Sequence, residues 1–206
     1  MKLRSPVMFG MLLLLLAGTL RAEVTERLSK EFIPPANEDK IEVIEVFGYW
    51  CIHCATLRQP LEDWGKAQST DVHLRYLPAV FSGGMEDELA RAFFAAEAMG
   101  VLSTLHEPLF NAVAVTRRVR DRAGILATVE QAGIDSALFA STMDSFSVRA
   151  KANQSKSLMP RYGIGVTPTL IIQGRTLLEP STGGLDAMLK RADELVAEAR
   201  ARRASP

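Results

Sequence analysis

Phe47-Gly48-Tyr49-Trp50-Cys51-Ile52-His53-Cys54 decides how the rest of the chain is read, because it holds the only two cysteines, two residues apart. A short run rich in β-branched residues, Ile41 to Phe47, leads into it and predicts a buried strand that Gly48 breaks. A helix is predicted to leave it, from about Cys51 to Lys66, with Leu57, Leu61 and Trp64 on one face and a kink at Pro60. Cys51 then falls in the first turn, where unpaired backbone N–H groups and the helix dipole favour negative charge. A thiol so placed has a depressed pKa, and the thiolate is the species that attacks disulfides. Cys54 lies one turn later on the same side, placed to resolve a mixed disulfide by attacking Cys51. His53, as a donor or a cation, further stabilises a Cys51 thiolate. Stabilising the reduced form makes the disulfide more oxidising.

Two plainer readings of the pair compete with exchange. A zinc site needs about four ligands, yet only His53, His73 and His106 remain to supply nitrogen and no second Cys-x-x-Cys exists. A structural disulfide closing so short a loop restricts the unfolded chain little. Exchange is the better reading, and no metal or organic cofactor is implied. His73 and His106 read as ordinary surface or core histidines.

Residues 1–22 carry the pattern of a secretory signal peptide: Lys2 and Arg4, the apolar run Val7 to Ala17, and a cleavage point at Ala22. Export favours an oxidising compartment, the periplasm. Without that segment the chain has 21 basic against 24 acidic residues, a net charge of −3. No basic field remains to suggest nucleic acid. The length of 206 residues, 48% of them hydrophobic, suits one globular domain or a domain with an insertion.

Working outward, Glu23 to Lys40 is polar, ends near Pro34-Pro35, and reads as a surface lead-in. Val72 to Val80 predicts a second strand, parallel to the first across the helix. Ser82-Gly83-Gly84 is a break. From Met85 to about Tyr162 the pattern is helical. Stripes run through Leu89, Ala92, Phe93 and Ala96 and through Leu102, Leu105, Leu109 and Val113. Further helices fit Ala123 to Ala132, Ser136 to Met143 with Asp135 as N-cap, and Ser145 to Leu158 with Pro160 as the stop. Phe93, Phe94 and Phe110 read as core, and Arg117-Arg118-Val119-Arg120 as a solvated loop. Strand signal returns at Thr169 to Ile172, with a turn at Gln173-Gly174 and a return strand, Arg175 to Leu178. An amphipathic helix from Gly184 to Ala204 follows, with Leu185, Met188, Leu189, Ala192 and Leu195 inward. The order βαβ, helical insert, ββα predicts an α/β, thioredoxin-like fold with an inserted helical subdomain. Its expected parts are residues 23–83 and 160–206, with the insertion at 84–159.

Two more features bear on chemistry. Thr167-Pro168 enters the third strand, where a thioredoxin-like fold holds a cis-proline beside the cysteines. The Thr167 backbone can then pair with an incoming peptide. Glu45 shares a strand face with Ile41, Val43 and Phe47. It is either a buried acid with a raised pKa, able to relay a proton to Cys54, or a paired acid on a partly exposed face.

Signal peptide, strand, aromatic-Cys-x-His-Cys, helical insert and Thr-Pro before a hairpin resemble the periplasmic disulfide oxidoreductases typified by DsbA. The resemblance covers about residues 38 to 200. It implies a thiol-disulfide oxidase that acts on unfolded or reduced exported proteins and is reoxidised by a DsbB-like, quinone-linked membrane partner. It implies the roles of attacking cysteine for Cys51, stabilising histidine for His53, resolving cysteine for Cys54, cis-proline for Pro168 and buried acid for Glu45. Trp50 and Thr167, with Pro168, would meet substrate. Ile52 stands where the family commonly has proline, and Thr167 where its best-known members have valine; both positions tune potential and partner choice. A periplasmic isomerase or reductant, and a redox-inactive chaperone-like binding module, are the alternative readings.

Overall fold

The computed structural model describes residues 24–204; the expected signal peptide lies outside them. The chain runs β1 (Thr25–Leu28), β2 (Ile41–Phe47), α1 (Ile52–Ala67), β3 (Val72–Pro78), α2 (Met85–Ala98) and α3 (Leu102–Phe110). A π-helical turn (Asn111–Val115) follows, then α4 (Arg122–Gln131), α5 (Ser136–Met143), α6 (Phe146–Tyr162), β4 (Thr169–Ile172), β5 (Thr176–Glu179) and α7 (Gly184–Ala204). The five strands form one sheet in the order β1-β5-β4-β2-β3. Only β2 and β3 pair in parallel, as a strand-helix-strand connection requires.

All seven residues of β2 are buried, Glu42 and Glu45 included, so both faces of this central strand are covered. One face of the sheet packs Ile41, Val43, Leu170 and Ile172 against Leu57 and Leu61 of α1 and Met188, Ala192 and Leu195 of α7. The other packs Ile44, Val46, Ile171 and Leu177 against Met159 and Tyr162 of α6 and against Ile33. A third cluster joins Phe47, Tyr49 and Cys54 to the helical region between β3 and β4, through Phe93, Leu105, Leu109, Phe110, Phe139 and Met143. The cysteine segment therefore sits where the sheet meets the helices.

Two expectations change. The lead-in is not all surface coil: Thr25–Leu28 pairs antiparallel with β5 at the sheet edge. Its short polar sequence carries no alternation because the strand is mostly exposed; backbone pairing and an Arg27–Glu179 ion pair hold it. Downstream, Ile33 N–H donates to Gly174 O at 2.9 Å. Gly174 closes a tight turn with φ 64 after Gln173 at φ 51, both in the left-handed region that such hairpin turns need. A Cβ on Gly174 would lie 1.9 Å from Ile33 O. Second, Pro160 does not stop α6, which runs to Tyr162. The stop is Gly163 at φ 72, with Ile164 N–H returning to Met159 O at 2.8 Å. Helix α1 likewise continues through Pro60. Asp135 caps α5 as expected, accepting from Ala137 N and Leu138 N, both at 3.0 Å. In the loop after the π-helical turn the arginines are exposed, but Val119 is buried in the core.

Candidate active site

Beyond β2 the chain turns sharply, with Cys51 N–H donating to Gly48 O at 2.9 Å. A Cβ on Gly48 would lie 2.5 Å from the Trp50 ring. Glycine thus lets Trp50 fold against the backbone and meet Phe81 edge to face, with ring centroids 6.1 Å apart. Trp50, Phe81, Ile52 and Val166 are all exposed. The first three and the Thr167 neighbour Val166 give the cysteine an apolar surround.

Cys51 is the N-cap of α1 rather than a first-turn residue, and its Sγ accepts from Cys54 N–H at 3.4 Å. The sulfur thus takes the place that a serine or aspartate oxygen fills at other helix starts. Its pKa falls from the usual thiol range to about 5. The Cys54 thiol, hydrogen-bonding to it, is the largest cause; burial opposes; the Thr167 side chain and the backbone N–H groups of Cys54 and His53 add to the lowering. In its protonated form the thiol donates to Thr167 O at 3.4 Å. Thr167-Pro168 is a cis peptide bond, and Pro168 is buried.

Cys54 is fully buried. Burial first, then Cys51 and Glu45, push its thiol far above the ordinary range. Both cysteines are free thiols in this structure. The arrangement is asymmetric: one sulfur is held as an anion, and the other must carry a proton.

Glu45 is buried, and its Oε1 has no hydrogen-bond partner among the described residues. Burial, then the Cys51 charge, then Glu62, push its pKa up to about 8. Of the two sequence readings the buried, unpaired acid is the one observed. The paired acid of this strand is Glu42, which the sequence did not single out. Its carboxylate accepts from Arg75 at 3.0 and 3.3 Å and from Ala36 N–H at 2.9 Å. His73 lies beside it, Nδ1 3.8 Å from Glu42 Oε1.

The His53 imidazole is exposed and makes no hydrogen bond or ion pair among the described residues; its backbone N–H is what reaches the sulfur. His106 is a core residue, as expected, but a consequential one. It meets Phe47, Tyr49, Phe93 and Phe110 in an aromatic cluster directly behind the redox turn. Its Nδ1 lies 2.8 Å from Tyr49 Oη. Burial lowers its pKa to about 3, so it is neutral. Among the described residues no other acceptor serves the fully buried Tyr49 hydroxyl, so the hydroxyl donates to Nδ1 and the imidazole proton sits on Nε2. Nothing in the local sequence marks that pairing.

The profile of the DSBA-like thioredoxin domain matches residues 86–190, which takes in the helical region and Pro168 but begins after the cysteine pair. The thiol:disulfide interchange protein DsbA of Bordetella parapertussis is 33% identical over 196 residues, 90% of this chain and 93% of that one. The crystal structure of Pseudomonas aeruginosa DsbA superposes with a TM-score of 0.79 at 28% identity, over 86% of this chain and 93% of that one. The oxidoreductase DsbA of Xylella fastidiosa superposes at 0.78 with 29% identity, over 85% and 95%.

Proposed function

The chain belongs to the DsbA family of thiol:disulfide interchange proteins, and from that premise we propose that Cys51 and Cys54 introduce disulfides into reduced exported proteins. A substrate thiolate attacks Cys51 of the Cys51–Cys54 disulfide, and Cys54 leaves. Its thiolate is untenable in so buried a place, and Glu45, whose pKa is raised first of all by burial, supplies the proton. The second substrate thiol then attacks the substrate sulfur of the mixed disulfide, and Cys51 departs as the stabilised thiolate. Thr167 and the cis-Pro168 offer backbone to the substrate chain, and Trp50 with Phe81 offers apolar surface. His53 contributes its backbone N–H to the Cys51 thiolate. The periplasm is the compartment that suits this chemistry, and a DsbB-like quinone-linked membrane protein is the partner that would restore the disulfide.

What supports the direction is Cys51 at the N-cap of α1, its Sγ accepting from Cys54 N–H at 3.4 Å, with its pKa lowered to about 5. At pH 7 a thiol lowered that far from 9 stabilises the reduced form by about 2.7 kcal/mol, or about 60 mV. Solvent at the partly open sulfur screens some of this. The potential of the pair, equilibrated against glutathione, should lie above thioredoxin's roughly −270 mV, by up to ~50 mV from this source. A value at or below that reference would reverse the direction. Cys51→Ser should abolish oxidation of a dithiol peptide, and retained turnover would move the function to another site.

A further inference from the structure

Gly48 to Cys51 form the turn that presents the cysteine pair, closed by Cys51 N–H donating to Gly48 O at 2.9 Å. Its two middle side chains part: Tyr49 is buried in the core, and Trp50 is exposed beside Phe81. Trp50 lies over Gly48 so closely that no side chain fits there, and glycine has the most backbone freedom to lose. The residues on both sides of Gly48 are pinned instead. The His106 ring of α3 meets Phe47 and Tyr49 edge to face, each with centroids 5.3 Å apart. It also meets Phe110 at 4.9 Å and Tyr76 at 5.4 Å. Ring packing tolerates sliding, whereas a hydrogen bond weakens steeply with distance and angle. The 2.8 Å bond from Tyr49 Oη to His106 Nδ1 is, among the described residues, the only hydrogen bond that joins residues 48–54 to the helical region between β3 and β4.

We propose that His106, acting through Tyr49, is a positioning residue for this turn: it holds the Gly48 amide against the Cys54 sulfur while the disulfide is exchanged. The inference rests on the reading of Cys51 and Cys54 as the exchanging pair. When a substrate thiolate attacks Cys51, a bond forms between the two sulfurs, the Cys51–Cys54 bond breaks, and its electron pair goes to Cys54. Burial first, then Cys51 and Glu45, resist charge on that sulfur, and the Gly48 backbone is the group that pulls the other way. Its N–H meets the electron pair as it arrives, before Cys54 takes up a proton. A donor aimed at charge that develops only in the transition state lowers the barrier itself, provided it is already in place. A glycine amide stays in place only if its neighbours do, and the His106 ring touches both. Burial keeps that imidazole neutral, so Nδ1 has a lone pair for the Tyr49 hydroxyl; a protonated ring would have none.

Two reactions separate this role from ordinary packing. Oxidation of a dithiol peptide by the disulfide form requires Cys54 to leave; alkylation of Cys51 by iodoacetamide in the reduced form does not. Tyr49→Phe keeps the ring and deletes the hydroxyl. It should slow the first reaction about five-fold, the worth of one buried hydrogen bond, and leave the second within about two-fold of wild type. His106→Leu should act likewise, and the double variant should be little slower than either single one, because both break the same link. His106→Asn keeps an acceptor near the place of Nδ1 and should restore most of the rate. Urea unfolding shows which variants are folded at the assay temperature; if His106→Leu is not, Tyr49→Phe and His106→Asn carry the test. A folded Tyr49→Phe protein that oxidises the peptide at the wild-type rate overturns the proposal. So does an equal loss in both reactions, which would mean a general loosening of the site, and so does a folded His106→Asn protein slower than Tyr49→Phe, which would assign the effect to ring packing. A wild-type protein that oxidises no dithiol peptide would instead remove the exchange reading beneath it.

Discussion

Replacing Cys54 by alanine should raise the pKa of Cys51, because the largest influence lowering it to about 5 is the hydrogen bond from the Cys54 thiol. Hydrogen bonds to charged groups contribute about 1.5–3 kcal/mol. At about 1.4 kcal/mol per unit this is ~1–2 units, which places the Cys51 midpoint of Cys54→Ala between about 6 and 7. Cys54→Ser keeps a donor in the same place and should leave the midpoint within ~0.5 unit of wild type. The ultraviolet absorbance of the thiolate, or the rate of alkylation by iodoacetamide, titrated from acid to neutral pH, reports the midpoint in all three proteins. At pH 6 the wild-type sulfur should be mostly thiolate and the alanine variant half or less. An alanine midpoint still near 5 would refute the reasoning. It would mean that the backbone N–H groups of His53 and Cys54 and the Thr167 side chain hold the charge without Cys54. A serine variant displaced as far as alanine would show that sulfur packing, not the donor, matters.

Glu45 and Cys51 should give the reduced and oxidised proteins different pH dependences. Glu45, raised to about 8, contributes stability that is present below about pH 4.5 and lost as pH rises through 8. Cys51, lowered to about 5 in the reduced form, contributes stability that is present above about pH 9 and lost as pH falls through 5. Urea unfolding at several pH values should therefore show the oxidised protein, in which Cys51 carries no charge to raise Glu45, weakening from pH 5 to 8 by less than about 4 kcal/mol, and Glu45→Leu removing that slope. A wild-type slope unchanged by Glu45→Leu would assign it to another group. Gly174→Ala should destabilise by more than ~1 kcal/mol, since it adds left-handed strain to a Cβ placed against Ile33 O. Hydrogen exchange should show residues 29–36 released with it; protection equal to wild type would mean that the turn yields elsewhere.

What the sequence alone determined is what short-range physics encodes. Helix α5 begins after Asp135 because a carboxylate can cap the next amides. The β4–β5 hairpin turns at Gln173-Gly174 because that dipeptide accepts positive φ. Helix α1 follows the cysteines because Leu57, Leu61 and Trp64 recur at its period. That the two cysteines lie one turn apart at a helix start is likewise local, set by their spacing and by the helix that follows. Pro160 misled because a proline is a strong local breaker, yet the residue that ends α6 is Gly163, whose left-handed conformation lets the last carbonyls be satisfied. Tertiary structure alone decided the rest. β1 exists because a distant strand, β5, offers backbone partners to a segment with no pattern of its own. Glu45 and Glu42 sit three residues apart on one strand, but only Glu42 meets an arginine, which comes from β3. His106 becomes a neutral donor because Tyr49, 57 positions away, takes its other nitrogen. Burial and partnership depend on groups far apart in the chain, and the pKa values that set this chemistry depend on both.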